Sequence, residues 1–483
     1  MQIKGWLRPA RILPKIAFFE VINGSTTYCV VDNKQLIQKL SCIPLESIIS
    51  VSGIQQPSQS KKSSTELLVT AIDVINECKE LPFDPRVIKN DSEIVNRQVL
   101  RYVHLRHDSM QHNLRTRSKI LFELRNVMAS EEFVEIETPT LFKPTSEGAK
   151  EFLIPVENDL YYALTQSPQQ FKQMLMVGGF QKYFQIARCY RNENHRRDRQ
   201  PEFTQLDVEA SFSSELVFIQ LTKKLLKAAF KAADLTLDDL IIMSYKDALI
   251  NYGSDKPDLR LPYKLTIHDD FHLLQIPKQD LINIPELLIT AAQFNLQSIE
   301  NDNSIVFKQP LQELHHNPSE IDLGRFLRSE IPRYLRNPLS GYKPIWVNDF
   351  PLYRKAIEGI KCCHHPFTLP KGDLESTDIY SIIGNCYDLV INGEEIASGS
   401  IRIYDSKLQL QVFRQLKMTA DQINQFSHLL NGLRSGCPPH GGIAYGIDRL
   451  IAILCSTKSI KDVIAFPKAS NGKDLCFNSP NTK

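Results

Sequence analysis

Two neighbouring segments in the middle of the chain alternate hydrophobic and polar residues. In "FTQLDVEA", one face carries Leu206, Val208 and Ala210, and the other carries Gln205, Asp207 and Glu209. A period of two is typical of a half-buried strand. The preceding segment, "YFQIARCYRNE", also has the character of a strand. The pattern therefore predicts a hairpin with an acidic face.

The loop of this predicted hairpin is basic, with Arg196, Arg197 and Arg199 between the two strands. One interpretation is a solvated sheet face with ordinary cross-strand ion pairs, each contributing about 0.2–1 kcal/mol. The other is a site that holds a polyanion and an ammonium group together. The hairpin alone leaves both interpretations open.

Short strands also dominate the N-terminal part of the chain, residues 1–83. Asn23-Gly24 between the first two of them is a hairpin signal. Several short strands in so short a stretch predict a small barrel of the oligonucleotide-binding (OB) type. The Ser- and Lys-rich segment "QQPSQSKKSS" predicts a loop.

Helical periodicity begins at Leu114. Its apolar stripe consists of Ile120, Leu121, Leu124, Val127 and Met128. "SPQQFKQMLMVG" predicts a second helix, with Ser167 as its N-cap, Pro168 in its first position and Gly178 after its end. "PPHGGIAYGIDRLIAILC" predicts a glycine-rich turn followed by a helix.

Length and composition indicate a multidomain globular protein. A chain of 483 residues predicts about two to four domains, and the predicted boundaries are 1–83, 84–110, 111–250, 251–345 and 346–483. No apolar run approaches the ~18–20 residues of a membrane span. The ten cysteines include no CxxC pair, which indicates reduced thiols. A net charge of +2 neither favours nor excludes nucleic acid.

Charged residues in two other segments suggest phosphate chemistry. Arg191 at a strand end and Arg449 inside an apolar helix are poor core residues, but a guanidinium group suits phosphate oxygens. Glycines needed only for tight packing are the alternative explanation of "GGIAYGIDRL". Glu394, Glu395 and Asp388 offer hard oxygen ligands for Mg²⁺.

Three segments resemble the signature motifs of class II aminoacyl-tRNA synthetases: "SKILFELRNVMASEEFVEIETP", "YRNENHRRDRQPEFTQLDVE" and "GIAYGIDRL". "QSPQQFKQMLM", "CCHHPFTLP" and "DVIAFPK" are most similar to aspartyl-tRNA synthetases of the bacterial and organellar type. The resemblance covers most of the chain. It implies an α+β fold with an N-terminal OB-fold anticodon-binding barrel, a linker, and a catalytic domain built on an antiparallel sheet flanked by helices.

The resemblance also implies a reaction and its residues. L-Aspartate would be activated by ATP with Mg²⁺ to an adenylate and transferred to the 3′ end of tRNA-Asp. Residues implied at the ATP site are Arg191, Glu193, Gln200, Glu395, Gly446, Ile447, Asp448 and Arg449. Those implied around aspartate are Glu147, Ser167, Gln169, Gln170, Phe171, Lys172, Asp207, His364 and Arg402. Those implied for Mg²⁺ are Asp388, Glu395 and Ser398.

Selection of aspartate over asparagine would depend on Arg402 and Lys172, which the resemblance places at the substrate's side-chain carboxylate. We expect two buried cations facing a neutral amide to be uncompensated, at a cost on the order of 3–5 kcal/mol. No editing domain is then needed. His365, next to the implied contact His364, is expected to pack.

The N-terminal barrel is expected to contact tRNA through Arg8, Arg11 and Phe18. No acid precedes Glu20, and cations beside aromatic rings suit a single-stranded RNA loop. If Phe18 is instead a core residue, Phe19 faces outward. Tyr28 occupies the position of the family's base-reading glutamine, so the anticodon contacts stay open.

Further expectations follow from the differences between this chain and the family it resembles, and from the charge pattern. The segment 251–345 is a reduced insertion, which favours an organellar enzyme, and the basic N-terminus is either a targeting signal or a basic strand. The mitochondrial matrix is favoured over a bacterial-type cytoplasm. The first motif implies a homodimer, although its stripe could pack inside one subunit. "CCHHPF" is not expected to bind zinc, because adjacent ligands cannot easily wrap one tetrahedral ion.

Two other functions use the same sequence features. One is a non-catalytic tRNA-binding relative, which loss of Arg191, Arg449 or Glu395 would have indicated. The other is a small-molecule ligase that makes asparagine through the same adenylate. The basic barrel argues against that ligase, and charging of tRNA-Asn stays open.

Overall fold

The computed structural model describes residues 1–58, 63–79, 98–145, 150–192, 198–311, 318–356 and 359–480. The chain divides into two compact units, Met1–Lys89 and Asn90–Lys483. No helix within the described ranges has the length and apolar character needed to cross a lipid bilayer.

The first unit is a small β-barrel. Its elements are β1 Gln2–Leu7, β2 Arg11–Ile12, β3 Ala17–Asn23, β4 Ser25–Val31, α1 Lys34–Ser41, β5 Ile48–Pro57 and β6 Thr65–Asn76. The strand order is β1-β5-β6-β4-β3-β2, and β1 also pairs with β3, which closes the sheet. Alternate residues of β3, namely Ala17, Phe19 and Val21, are buried in its core. The predicted OB-type barrel is confirmed.

Local signals account for most of this barrel. Gly24 connects β3 to β4 with a φ of 72°, a conformation that costs glycine little. The helix α1 was not predicted. Asn33 caps it by accepting from the main-chain nitrogens of Gln35 and Leu36, and Ile37 and Leu40 bury its apolar face.

The second unit contains the remaining elements. Its helices are α2 Arg101–His104, α3 Asp108–Ser130, α4 Gln169–Val177, α5 Glu215–Ala232, α6 Tyr245–Tyr252, α7 Ile284–Gln293, α8 Asp322–Ser329, α9 Ile331–Tyr334, α10 Ser406–Gln415, α11 Ala420–Asn424, α12 Ser427–Arg434 and α13 Ile447–Leu454. Its strands are β7 Val134–Glu135, β8 Leu141–Phe142, β9 Leu153–Pro155, β10 Tyr161–Leu164, β11 Lys182–Tyr190, β12 Glu202–Ser211, β13 Ile241–Ser244, β14 Leu265–His268, β15 Phe271–Pro277, β16 Gln297–Glu300, β17 Ser304–Pro310, β18 Pro344–Asn348, β19 Tyr353–Ala356, β20 Gly359–Cys362, β21 Pro370–Lys371, β22 Ile383–Gly384, β23 Cys386–Ile391, β24 Glu394–Ile401 and β25 His440–Gly446.

An eight-stranded sheet forms the centre of this unit, with the order β13-β18-β23-β24-β25-β12-β11-β7. All neighbours are antiparallel except β13 with β18 and β7 with β11. β11 and β12 form the predicted hairpin, with Gln185 opposite Asp207. Leu206, Val208 and Ala210 face the main hydrophobic core, as their alternation predicted.

The apolar stripe of α3 packs into that same core. Ile120, Leu124 and Met128 are buried against residues of α5 and α13. The helix begins at Asp108, earlier than the predicted Leu114. Because the stripe packs within one subunit, it does not by itself support an interface between two copies.

The capping of α4 differs from its prediction. Its N-cap is Pro168, with no side-chain capping bond, so Ser167 does not cap it. Gly178 stands at the C-cap, directly after the last helical residue, as the sequence predicted.

The segment 251–345 is a folded module and not only a polar interruption. It contains the sheet β14-β15-β17-β16 and the helices α7, α8 and α9. Leu274, Phe307 and Phe326 belong to a hydrophobic cluster of its own. The polar, Asn-rich stretch "SIENDNS" of this segment falls at the turn between β16 and β17.

The glycine-rich segment before α13 was predicted as a turn but is the strand β25. A Cβ on Gly442 would come within 1.8 Å of Glu209 Oε2 and 2.3 Å of the Val208 carbonyl oxygen. Glycine there makes room for the Glu209 carboxylate beneath the sheet.

The C-terminal segment is attached to α2 by one buried guanidinium group. Arg101 donates to the carbonyl oxygens of Lys461, Ile464 and Ala465 at 3.0, 2.7 and 2.7 Å. Burial lowers the pKa of Arg101 to about 10, so the group stays charged at neutral pH.

We expect Gly442→Ala to lower the free energy of unfolding by about 2–3 kcal/mol, because the added methyl group overlaps both Glu209 and the backbone. Denaturant unfolding measures this. Gly446→Ala on the same strand is the control, since its Cβ would meet only the Ile396 carbonyl oxygen at 3.5 Å. Equal stabilities of the two variants would contradict the packing argument.

Candidate active site

A cavity of about 870 Å³ lies over the central sheet, at β12, β23, β24 and β25. It brings together most of the site residues suggested by the sequence. Those lining it are Ser167, Gln169, Lys172, Arg191, Gln200, Asp207, His364, Asp388, Glu395, Ser398, Arg402, Gly446, Asp448 and Arg449. The solvated-surface interpretation of the hairpin is wrong, since Asp207 and Glu209 are both fully buried.

Four buried charges form the floor at one end. Lys172 Nζ lies 3.1 Å from Asp207 Oδ1 and 3.3 Å from Glu209 Oε2. Arg402 donates from Nε and Nη2 to Glu209 Oε1 and Oε2 at 2.9 and 3.1 Å. From the sequence, we expect Arg402 and Lys172 to be left without a counter-charge when they face a neutral amide. This is wrong, because two protein carboxylates already compensate them.

The two acids of this cluster differ in character. Burial raises the pKa of Asp207, and Lys172 only partly offsets it. Burial also acts on Glu209, but Arg402 and Lys172 outweigh it and lower that pKa. Asp207 Oδ2 accepts no hydrogen bond from the described residues. Asp207 lines the cavity, so it offers an acceptor to a ligand, whereas Glu209 is committed to the cluster.

Arg191 lies at the end of the cavity opposite to this charged cluster. Its guanidinium group lies 5.0 Å from the ring centroid of Phe203, and its Nε has no hydrogen-bond partner among the described residues. Stacking on an aromatic face fixes the plane of the group and leaves its N–H donors available. Phe203 was missed by the sequence reasoning, although it stands in the same motif.

The histidine pair lies beside the cluster. His364 Nε2 lies 2.9 Å from Asp388 Oδ1. Burial alone would lower the pKa of His364, but Cys386 and Asp388 outweigh it and raise the pKa well above its usual value. His365 does more than pack, because it hydrogen-bonds Arg402 Nη1. Burial, with Arg402, lowers the pKa of His365.

The three residues suggested for Mg²⁺ do not form a ready-made cluster. Within the described residues, no three His, Cys, Asp or Glu side chains are grouped to hold a metal ion. Asp388 is paired with His364, and Glu395 Oε2 lies 3.0 Å from Lys256 Nζ. A magnesium ion that arrives with phosphates needs only one or two carboxylates. The half-buried Glu395 fits that need better than Asp388.

Asp448 and Ile447 stabilise the fold around the cavity. Asp448 Oδ1 accepts from Arg117 Nη1 at 2.5 Å, and its Oδ2 accepts from the Thr204 main-chain nitrogen at 3.0 Å. Ile447 is buried in the main core and does not line the cavity. The ATP contacts expected of both residues stay predictions, and for Ile447 such a contact would have to involve the main chain.

Arg449 lines the cavity. It donates from Nη1 to the main-chain oxygen of Glu395, and its Nη2 lies 3.9 Å from Asp198 Oδ2. Gln200 is fixed by Lys468, which donates its main-chain N–H to Gln200 Oε1 at 2.7 Å. Gly446 presents no side chain there.

Several other expected residues lie elsewhere. Gln170 and Phe171 line a small neighbouring cavity and not the main one, so their expected contact with aspartate stays a prediction. Glu147 and Glu193 fall outside the described residues.

The expected tRNA contacts of the barrel separate into two groups. Arg8 is buried, and its Nη1 lies 2.5 Å from Glu46 Oε1, so its expected role as an exposed RNA contact is wrong. Glu46 is distant in sequence and could not be recognised as its partner. Arg11 and Phe18 are exposed and stand opposite each other on β2 and β3. Phe18 thus faces outward and Phe19 inward.

Comparison with known proteins identifies the family. The profile of the tRNA synthetases class II (D, K and N) matches residues 94–470. A mitochondrial aspartate–tRNA ligase of Dictyostelium discoideum is 36% identical over 590 aligned residues, covering 99% of this chain and 84% of that protein. The chain belongs to the aspartate–tRNA ligase family of class II synthetases.

Members of this family from other sources are similarly related. The aspartate–tRNA ligase of Ureaplasma parvum is 33% identical, covering 99% of this chain and 94% of that protein. The human mitochondrial aspartate–tRNA ligase is 37% identical, covering 92% of this chain and 80% of its own. Aspartate–tRNA ligases of both mitochondrial and bacterial sources are thus close relatives.

Solved structures support the fold. An asparaginyl-tRNA synthetase of Entamoeba histolytica, in complex with asparaginyl-adenylate, has a TM-score of 0.69 at 20% identity, covering 97% of this chain and 94% of that one. At this identity the likeness concerns the fold alone. The predicted α+β architecture with its N-terminal barrel is confirmed.

We expect Glu209→Gln to lower the free energy of unfolding by about 3–5 kcal/mol, because it leaves Arg402 and Lys172 short of one buried counter-charge. Denaturant titration measures the loss. Glu202→Gln, on the same strand, removes a surface pair with Arg188 and should cost less than about 1 kcal/mol. Similar losses in both variants would show that burial of the cluster does not matter.

Proposed function

We propose that this protein is an aspartate–tRNA ligase that joins L-aspartate to the 3′ end of tRNA-Asp through an aspartyl adenylate. The observation that carries the proposal is the buried group Lys172, Asp207, Glu209 and Arg402 at one end of a cavity that has Arg191 and Arg449 at the other. One end suits a small zwitterion with an acidic side chain, and the other suits a triphosphate.

The amino-acid end can bind two of the three charged groups of aspartate and leave the α-carboxylate free to react. The side-chain carboxylate would accept hydrogen bonds from Arg402 and Lys172, and Asp207 Oδ2 would accept from the ammonium group. An asparagine amide would direct its NH₂ donors at cations that have no acceptor to offer. Because Glu209 compensates the two cations, selection depends on this mismatch of donors, with less contribution from an uncompensated charge.

No general base is required for the first step, since the α-carboxylate of aspartate is ionised at neutral pH. It attacks the α-phosphorus in line, and pyrophosphate leaves. The chain accelerates such a step by positioning both substrates and by placing cations at the phosphates. Arg191, held on Phe203, suits the α-phosphate, and Arg449 suits the γ-phosphate.

Magnesium would bind as the counter-ion of ATP and neutralise phosphate charge. Glu395, with Ser398 nearby on β24, is the donor that the cavity offers for it. Asp388 would act through His364, since their hydrogen bond orients the imidazole and, with Cys386, raises its pKa.

The barrel would bind single-stranded RNA through Arg11 and Phe18, which combine a cation with an exposed stacking face. A homodimer and a mitochondrial location belong to the same proposal. The mitochondrial relatives support the location, and sedimentation of the purified protein tests the dimer against a 55.3 kDa monomer.

We expect Arg402→Ala to abolish aspartate-dependent exchange of pyrophosphate into ATP, because the substrate carboxylate loses a buried, charge-assisted donor. ATP binding, measured by calorimetry, should stay close to that of the unchanged protein. Exchange at a near-normal rate would contradict the assignment of Arg402. Exchange supported equally by asparagine in the unchanged protein would contradict aspartate as the substrate.

We expect Phe18→Ala to reduce charging of a tRNA-Asp transcript by about one to two orders of magnitude, since stacking on one base contributes roughly 1–3 kcal/mol. Adenylate formation and thermal unfolding should not change. Ile54→Ala, another exposed apolar residue of the barrel, is the control. Unchanged charging by the Phe18 variant would refute the RNA contact, and charging of tRNA-Asn in parallel tests its selectivity.

A further inference from the structure

The inserted module contributes side chains to the cavity of the central sheet. Asp255, Lys256, Ser319 and Arg328 all belong to residues 251–345, and all line it. None of them lies in a motif that suggested a site. Lys256 makes the most direct contact, since its Nζ lies 3.0 Å from Glu395 Oε2 and 3.9 Å from Asp255 Oδ1.

The backbone around Lys256 is fixed from several sides. Its main-chain nitrogen donates to Ser254 Oγ at 3.1 Å, and that hydroxyl donates to Glu320 Oε1 at 2.8 Å. Arg328 joins Glu320 to the central sheet, because its Nε donates to Glu320 Oε1 at 2.9 Å and its Nη1 to the Gly393 carbonyl oxygen at 3.2 Å. The module therefore holds the base of Lys256 against the turn between β23 and β24.

The ion pair with Glu395 contributes little to folding. Both side chains are about one-third exposed, and solvent screening leaves such pairs with little effect on stability. Lys256 carries the ordinary charge of a lysine at neutral pH, and its ammonium group lies within contact distance of the Glu395 carboxylate. The hydrogen-bonded backbone of the module thus holds a charged ammonium group at the cavity wall.

Glu395 has a second cation on its other side. Arg449 donates to the main-chain oxygen of Glu395, while Lys256 contacts its carboxylate. Two cations from different parts of the chain therefore meet at the residue best placed to share a counter-ion with ATP. An ammonium group is well suited to phosphate oxygens as a compact point charge.

We propose that Lys256 binds the β- and γ-phosphates of ATP, the part that leaves as pyrophosphate, so that the inserted module takes part in nucleotide binding. This rests on the proposed function, in which ATP occupies the cavity. When the phosphates arrive, the ammonium group moves from Glu395 to them and frees the carboxylate.

The test is calorimetric binding of ATP, inorganic pyrophosphate and AMP, each with Mg²⁺, to the full-length protein and to Lys256→Gln. The variant should bind ATP and pyrophosphate about ten-fold or more weakly, because it loses a charge-assisted hydrogen bond. AMP lacks the β- and γ-phosphates, so its affinity should not change. Lys256→Arg, which keeps the charge, should recover most of the pyrophosphate affinity.

Lys278→Gln is the matched control, since Lys278 also pairs with a glutamate of the module, Glu300 at 2.7 Å, but does not line the cavity. Equal pyrophosphate affinity in the unchanged protein and Lys256→Gln would overturn the inference. An equal loss for AMP would also overturn it, because Lys256 would then only support the wall. If the unchanged protein binds neither ATP nor pyrophosphate, the proposed function itself fails.

Discussion

Four charges buried under one cavity dictate much of the architecture of the second unit. Lys172, Asp207, Glu209 and Arg402 are each at most 1% exposed. Removing an ion from water costs several kcal/mol, which only partners at contact distance can repay. The helix α4, the strand β12 and the end of β24 must therefore meet within hydrogen-bonding range. Gly442 follows from the same requirement, since any larger residue would displace the Glu209 carboxylate.

This arrangement separates framework charges from charges that remain available. Glu209 has both oxygens occupied by Arg402 and Lys172, and Asp448 is held by Arg117 and Thr204. Asp207 Oδ2 and Arg191 Nε, by contrast, have no partner among the described atoms of the chain. A binding site of this kind is rigid because its neutralising partners are built in, while Asp207 Oδ2 and Arg191 Nε at the cavity are left open to a ligand.

The sequence predicted the elements whose signals are local. The alternation of β12 and the Asn-Gly turn depend on neighbouring residues, and both are confirmed. Long-range partners were not predictable in this way. Glu46 neutralises Arg8 from 38 positions away, and Glu209 neutralises Arg402 from 193 positions away. The glycines of β25 were assigned to a turn. Glycine is needed there because of a carboxylate on another strand, and the neighbouring residues in the sequence do not reveal that contact.

Arg101 connects α2 to the C-terminal segment, to which Asn113 and Arg117 of α3 also donate at the carbonyl oxygens of Asp462 and Val463. Three carbonyl oxygens between positions 461 and 465 point at one guanidinium group, and each would otherwise need another donor. Just after this segment, Lys468 fixes Gln200 at the cavity wall. Cleavage in this segment would thus disturb Gln200 at the cavity wall, although no residue from 461 to 468 lines the cavity. A protease cut near the end of the chain would act as a remote inactivation of the site.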